Sequence, residues 1–169
     1  MNIIWHGHSC FEITGKDGTI VFDPYQANSV PGLNSLKLKA NLVLCSHEHD
    51  DHNARNCVEV APKDFKVTCI ETYHDHHQGS HRGKNTIHIV DFEDLKVVHM
   101  GDIGCMMDDV SKLKNCDVLM IPIGGYYTID TKEALKYIER IQPRIVIPMH
   151  YCSHEFGYDV LSTNEEFIQ

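Results

Sequence analysis

The sequence predicts an α/β domain in which two sheets pack face to face with helices on the outside, an αββα sandwich. Short apolar runs of strand length recur from the first residues, helical patterns are few, and the order of strands followed by a helix occurs twice in succession. The chain of 169 residues, 42% of them hydrophobic, is long enough to bury one core without disulfides. One domain spanning residues 1–169 is therefore expected, with no internal repeat, low-complexity tract or linker.

The chain opens as a β meander. Residues 2–5, 10–13 and 19–22 have strand character, and Gly15-Lys16-Asp17-Gly18 supplies a hairpin turn between the last two. A Pro/Gly/Asn loop covers residues 28–34, after which Leu42-Val43-Leu44-Cys45 reads as a fully buried strand. More strands are expected at residues 65–70, 86–90, 95–100, 118–121 and 145–148. The clearest helix is 131–141, where Ala134, Leu135, Ile138 and Ile141 form one apolar stripe and Lys132, Lys136, Glu139 and Arg140 face water. Asp130, with Glu133 three residues on, forms a capping box for it. Weaker helical signals lie at residues 54–60 and 108–113.

Composition excludes several classes of function. A formal charge of -9 argues against a nucleic-acid partner, which would call for a basic surface to displace counterions. No run of about 18 apolar residues occurs, so no membrane span is expected. The N-terminus lacks the basic start and apolar stretch of a secretory signal, and a soluble cytoplasmic protein is the expectation. The seven cysteines (Cys10, Cys45, Cys57, Cys69, Cys105, Cys116 and Cys152) form no CxxC pair and read as reduced, mostly buried thiols.

The compositional outlier is histidine, with 13 residues, many where strand-like runs end. His47, His49, Asp51 and His52 fall within six residues just past the strand at 42–45. So tight a run of imidazoles and a carboxylate suggests a common target, and these are the ligands that zinc and similar divalent ions accept. Asp102 and His150 each follow another apolar strand, so all three groups stand at the carboxyl ends of strands.

The run His47-x-His49-x-Asp51-His52 resembles the signature of the metallo-β-lactamase superfamily position for position. Within that superfamily the chain is similar to small metal-dependent hydrolases of the ascorbate-6-phosphate lactonase group over nearly its whole length. The resemblance extends to Gly7-His8-Ser9-Cys10-Phe11, Asp23-Pro24, Arg82-Gly83-Lys84-Asn85-Thr86, His99-Met100-Gly101-Asp102-Ile103-Gly104, Pro122-Ile123-Gly124-Gly125 and Ile147-Pro148-Met149-His150-Tyr151.

The resemblance implies two divalent ions, zinc before manganese. His47, His49 and a later histidine would hold the first; Asp51, His52 and His150 would hold the second; Asp102 would bridge them. His74 is taken as the later histidine because similar sequences place a His-Asp pair directly after a strand and a short distance before the Arg-Gly-Lys-Asn segment; His76, His77 and His81 remain alternatives. His6, His8, His88, His99 and His154 need no metal role. Asp23 is read as orienting a metal-binding imidazole, with fixing of the Asp-Pro turn as the other possibility.

The reaction implied is hydrolysis of a small anionic ester, lactone or phosphodiester by a metal-bridging hydroxide, with Asp51 orienting it or moving a proton. Arg82, Lys84 and Asn85 are the candidate substrate-binding residues. Two other readings stand beside it: a non-catalytic metal-binding sensor, and a di-iron redox protein of the same fold. Proteins resembling the di-iron branch carry a glutamate where His49 stands. The tail after His150 is shorter than in similar hydrolases, so the pocket is expected to be open there or completed by a second copy of the chain.

Overall fold

The computed structural model describes residues Met1–Gln169. One sheet has the order β1-β2-β3-β5, formed by β1 (Asn2–Gly7), β2 (Cys10–Gly15), β3 (Gly18–Phe22) and β5 (Leu42–Leu44). The other has the order β11-β10-β9-β8-β7, formed by β7 (Lys66–Tyr73), β8 (Lys84–Phe92), β9 (Leu95–His99), β10 (Val118–Pro122) and β11 (Ile145–Met149). A small third sheet pairs β4 (Leu38–Ala40) with β6 (Val58–Val60), and the helices are α1 (Thr131–Ile141) and a single turn, α2 (Glu165–Ile168). No helix is long and apolar enough to cross a membrane.

Strand alternation places the core. In β2 and β3, Phe11, Ile13, Ile20 and Phe22 turn inward against Ile87, Val97 and their neighbours on the second sheet. The intervening Cys10 and Val21 turn outward, into a smaller cluster with Tyr25, Val30, Ala40 and Val58. Strand β10 lies between β9 and β11, parallel to both, and is buried along its whole length, as a strand covered on both faces must be. Helix α1 connects β10 to β11, the crossover that a parallel pair requires.

The capping box forms as expected: Asp130 accepts from Glu133 N and the Glu133 side chain accepts from Asp130 N. The buried stripe differs by one position. Tyr137 is buried with Ala134 and Ile141, while Leu135 is 48% exposed, because the phenol reaches back to donate to Cys105 O. The helix expected at residues 54–60 is instead one 3-10 turn, Arg55–Cys57, followed by β6. There the β-branched Val58 fills the outer cluster, and no side chain caps a helix. The signal at 108–113 likewise yields only the turn Ser111–Leu113. Strand β5, expected to be fully buried, is half-buried throughout because it lies at the sheet's edge. Of the seven free cysteines only Cys10 and Cys116 are buried, and Cys69 is exposed.

Candidate metal centre

Five strand ends and one hairpin turn deliver the site. Asp23 follows β3, the segment Ser46–His52 follows β5, His74 follows β7, Asp102 follows β9 and His150 follows β11, while His8 lies in the β1–β2 turn. The base of the site is the buried carboxylate of Asp23. It accepts from Ser46 N at 2.6 Å, from Ser46 Oγ at 2.6 Å and from His52 Nδ1 at 2.9 Å. Burial opposes its ionisation, yet the facing His52, by charge and by hydrogen bond, holds it below the usual carboxylate range. An ionised carboxylate only accepts, so His52 must carry its proton on Nδ1. Ser46 donates its hydroxyl proton to the hydrogen bond with Asp23, so its oxygen accepts from His47 Nδ1 at 2.9 Å.

These bonds leave both Nε2 atoms with a lone pair aimed into the site. Neither His47 Nε2 nor His52 Nε2 has a hydrogen-bond partner, and Asp102 Oδ1 is also unpartnered although all three are buried. Around Asp102 Oδ2 lie the Nε2 atoms of His150 at 3.0 Å, His52 at 3.1 Å, His74 at 3.4 Å and His47 at 3.9 Å. Ligands of a tetrahedral zinc ion, about 2.0–2.2 Å from the metal, stand roughly 3.3–3.6 Å from one another. Buried, unpaired donors at this spacing cost free energy unless a cation joins them.

The donor atoms of His47, His49 and His74 lie within 4.8 Å of one another, and so do those of His8, Asp51, His52 and His150. A third group, His47, His52 and Asp102, links the two. The electrostatics favour positive charge here. Burial pushes His47 down to about 3 and lowers His74, so both are neutral. His52 is raised despite its burial, because the carboxylates of Asp102, Asp23 and Asp51 surround it. Asp102 is likewise held well below its usual range against burial, chiefly by His150 and His52. The imidazole and carboxylate set thus fits divalent metal.

Of the four histidines after β7, only His74 reaches the site, its ring 4.6 Å from His47 and 5.3 Å from His49. His76 is exposed near Glu133, and His77 pairs with His81 at 4.3 Å on the surface. His88 and His99 are core residues, and His99 Nε2 donates to Ser9 O. A close approach fixes the neighbourhood of Asp102. Gly101 has φ +57°, and a Cβ there would lie 2.3 Å from Asn85 Oδ1 and 2.4 Å from Ser46 Cβ.

Asn85 is not brought to the surface to meet a substrate. It is fully buried, donates to Thr72 Oγ1 and Met100 O, and accepts from Asp102 N at 2.8 Å, so it positions the Asp102 backbone. Arg82 and Lys84 do line a groove of about 430 Å³ with His47 and His49. Lys84 pairs with Glu71 at 3.2 Å, whereas the Arg82 guanidinium makes no ion pair and lies over the rings of Tyr127 and Tyr126, 5.3 and 5.8 Å from their centroids. A second cleft of about 210 Å³ is lined by His49, Asp51, His74, Asp102, His150 and two residues absent from the sequence reading, Tyr127 and Tyr158. Tyr158 lies on the segment after His150, which folds back through Gly157 N→Pro31 O and Ser162 N→Gly124 O. That segment therefore forms a wall of the cleft, on the side expected to be open or completed by a second copy of the chain. His8, read as needing no metal role, is fully buried among the second group, its Nε2 3.1 Å from Asp51 Oδ2. No sequence periodicity marks a turn residue or a tail tyrosine, so neither could be found that way.

The family model described as the β-lactamase superfamily domain matches residues 2–150. A metal-dependent hydrolase of Staphylothermus marinus is 31% identical over 192 aligned positions, covering 86% of this chain and 81% of the relative. Another, from Thermoplasma acidophilum, is 29% identical over 189 positions, covering 89% and 83%. The crystal structure of a candidate Zn-dependent hydrolase of the metallo-β-lactamase superfamily from Thermotoga maritima superposes with a TM-score of 0.75 at 26% identity, covering 98% of this chain and 83% of that one. An isothiocyanate hydrolase from Delia radicum gut bacteria, at 11% identity and TM-score 0.70 over 98% of this chain and 90% of that one, shares the fold alone.

Proposed function

The chain belongs to the metallo-β-lactamase superfamily and is a metal-dependent hydrolase, and from that premise we propose that it uses two divalent ions to cleave a small anionic ester, lactone or phosphodiester. The first ion would be held by His47, His49 and His74, the second by Asp51, His52 and His150, with Asp102 between them; zinc suits this set best, and manganese next. The observation that carries the reading is the pair of buried, unpartnered Nε2 atoms of His47 and His52, each left with its lone pair inward by the hydrogen bonds to Ser46 and Asp23.

Two ions so held would lower the pKa of a shared water toward about 7 and polarise the substrate's carbonyl or phosphoryl oxygen. No side-chain nucleophile is then needed. Asp51, at the cleft wall, is held below the usual carboxylate range; burial would raise it, but His52 and the hydrogen bond from His8 outweigh that. So weak a base orients the attacking water by accepting its hydrogen bond more readily than it keeps a proton. Arg82, with no carboxylate partner and a guanidinium braced on two aromatic rings, suits an anionic group of the substrate beside the ions.

The test is to reconstitute metal-free protein with zinc or manganese, count ions by elemental analysis, and assay lactones, carboxylic esters, phosphodiesters and phosphomonoesters. About two ions per chain and turnover of an anionic member of the first three classes are expected. A count that stays near one would overturn the two-ion assignment. Iron with strong visible absorbance and no hydrolysis would favour the redox branch of the fold instead.

A further inference from the structure

His8 has an environment that a packing role does not account for. It follows Gly7 in the turn between β1 and β2 and adopts φ +53°, a left-handed conformation that, outside glycine, favours asparagine, aspartate and histidine. Two donors hold it there: its carbonyl accepts from Trp5 Nε1 at 3.0 Å and from His150 N at 3.2 Å. The ring so placed is fully buried and stands 4.0 Å from the His150 ring. Its Nδ1 has no partner, and its Nε2 meets Asp51 Oδ2 at 3.1 Å.

The surroundings of Asp51 show which group can donate to that oxygen. Tyr158 Oη lies 3.3 Å from it but commits its proton to Ser29 O at 2.7 Å. His52 Nε2 is 3.5 Å away, but with its Nδ1 proton facing Asp23 this nitrogen would hold the ion rather than donate to Asp51. His8 alone can offer Asp51 Oδ2 an N–H. A lone pair on His8 Nε2 would instead oppose the lone pairs of the carboxylate. Direct ligation is also superfluous, because Asp51, His52, His150 and the shared Asp102 would already supply four donors to the second ion, and a further position would be needed for the shared water.

We propose that His8 is a positioning residue for Asp51, its Nε2–H locking the carboxylate in the orientation that the second ion requires. The proposal rests on the two-ion reading above. It assigns His8 a role through Asp51, without contact with ion or substrate. Partners that orient a ligand in this way typically contribute about 10–100-fold to metal affinity.

Two substitutions separate a donor from a ligand and from a packing residue. In His8→Gln the amide nitrogen reaches about as far as Nε2 and restores the N–H. In His8→Asn the amide stops short of Asp51, while asparagine tolerates the positive φ. The two stepwise zinc affinities of each purified, metal-stripped variant are measured by chelator competition, with circular dichroism to check folding. His8→Gln should keep both affinities within about threefold of the parent, and His8→Asn should lose roughly 10–100-fold in one of the two steps alone. His8→Leu, which fills the space without a donor, replaces His8→Asn if that variant does not fold. Unchanged affinities in the donor-free variant would overturn the proposal, and so would a His8→Gln as defective as His8→Asn. A parent that binds only one ion would overturn the two-ion reading instead, and that outcome is visible before any variant is made.

Discussion

Asp102 sits at the centre of the four imidazoles, with its Oδ1 unpartnered and its Oδ2 3.0–3.9 Å from their Nε2 atoms. Its backbone is held independently, by Asn85 Oδ1 on Asp102 N, so removing the carboxylate leaves the turn after β9 intact. Asp102→Ala should therefore stay folded but lose at least one ion, since two like charges would then face each other with no anion between them. Activity should fall by about two to four orders of magnitude; elemental analysis with circular dichroism checks this, and a folded variant with both ions and near-normal turnover would refute the bridging role. At this scale the sequence was most informative where chemistry is dense in the chain. Residues 47–52 stand in one run, and Asp102 and His150 each end an apolar strand. It misplaced Asn85, because burial of an amide behind a neighbouring strand leaves no trace in a polar, glycine-containing loop. His8 was passed over for the converse reason: a lone histidine in a turn becomes significant only when folding brings Asp51, 43 residues away, against it.

The loop between β7 and β8 is organised by a single side chain. The buried Asp75 carboxylate accepts from the backbone N–H groups of His77, Gly79, His81 and Arg82, at 2.7 to 3.0 Å. These bonds hold it below the ordinary carboxylate range even though burial acts the other way. Winding the loop around Asp75 leaves His74 at its inner end and presents Arg82 at the groove while His76, His77 and His81 stay outside. Four neighbouring histidines were separable in the sequence only by the strand before them, and the carboxylate that sorts them was not evident. Because Arg82 is fixed through its backbone, Arg82→Ala should leave the loop in place. KM for an anionic substrate should rise about tenfold or more with a smaller change in kcat, the loss of a charge-assisted hydrogen bond. Steady-state kinetics beside a melting curve decides it: an unchanged KM with a melting point several degrees lower would mean that Arg82 only braces Tyr126 and Tyr127. The other elements differed from expectation where packing overrode local pattern, as when Tyr137 displaced Leu135 from the helix's buried face.

Across the whole molecule the site joins the two sheets: Asp23 and residues 46–52 follow strands of one, and His74, Asp102 and His150 follow strands of the other. That two sheets would meet was legible from strand spacing, whereas their register against each other depends on side-chain packing that no local pattern encodes. Without a cation, the seam holds three ionised carboxylates, Asp23, Asp51 and Asp102, around one raised imidazole, His52. Metal binding should therefore stabilise the fold itself, because the unfolded chain cannot present the donors together. Linkage sets the size: free zinc at 1,000 times the dissociation constant of one site contributes about 4 kcal/mol to the folded state. For a chain of this length each 1 kcal/mol moves the melting point by about 2–4 °C, so chelation should lower it by roughly 8–16 °C for one ion and more for two. Differential scanning calorimetry of stripped protein, titrated with zinc and then with magnesium, reads this directly. Zinc should restore the melting point, whereas magnesium, which prefers octahedral oxygen ligands, should not. If zinc bound with measurable affinity to the folded chain and the melting point did not move, the ions would have to bind the unfolded chain equally well.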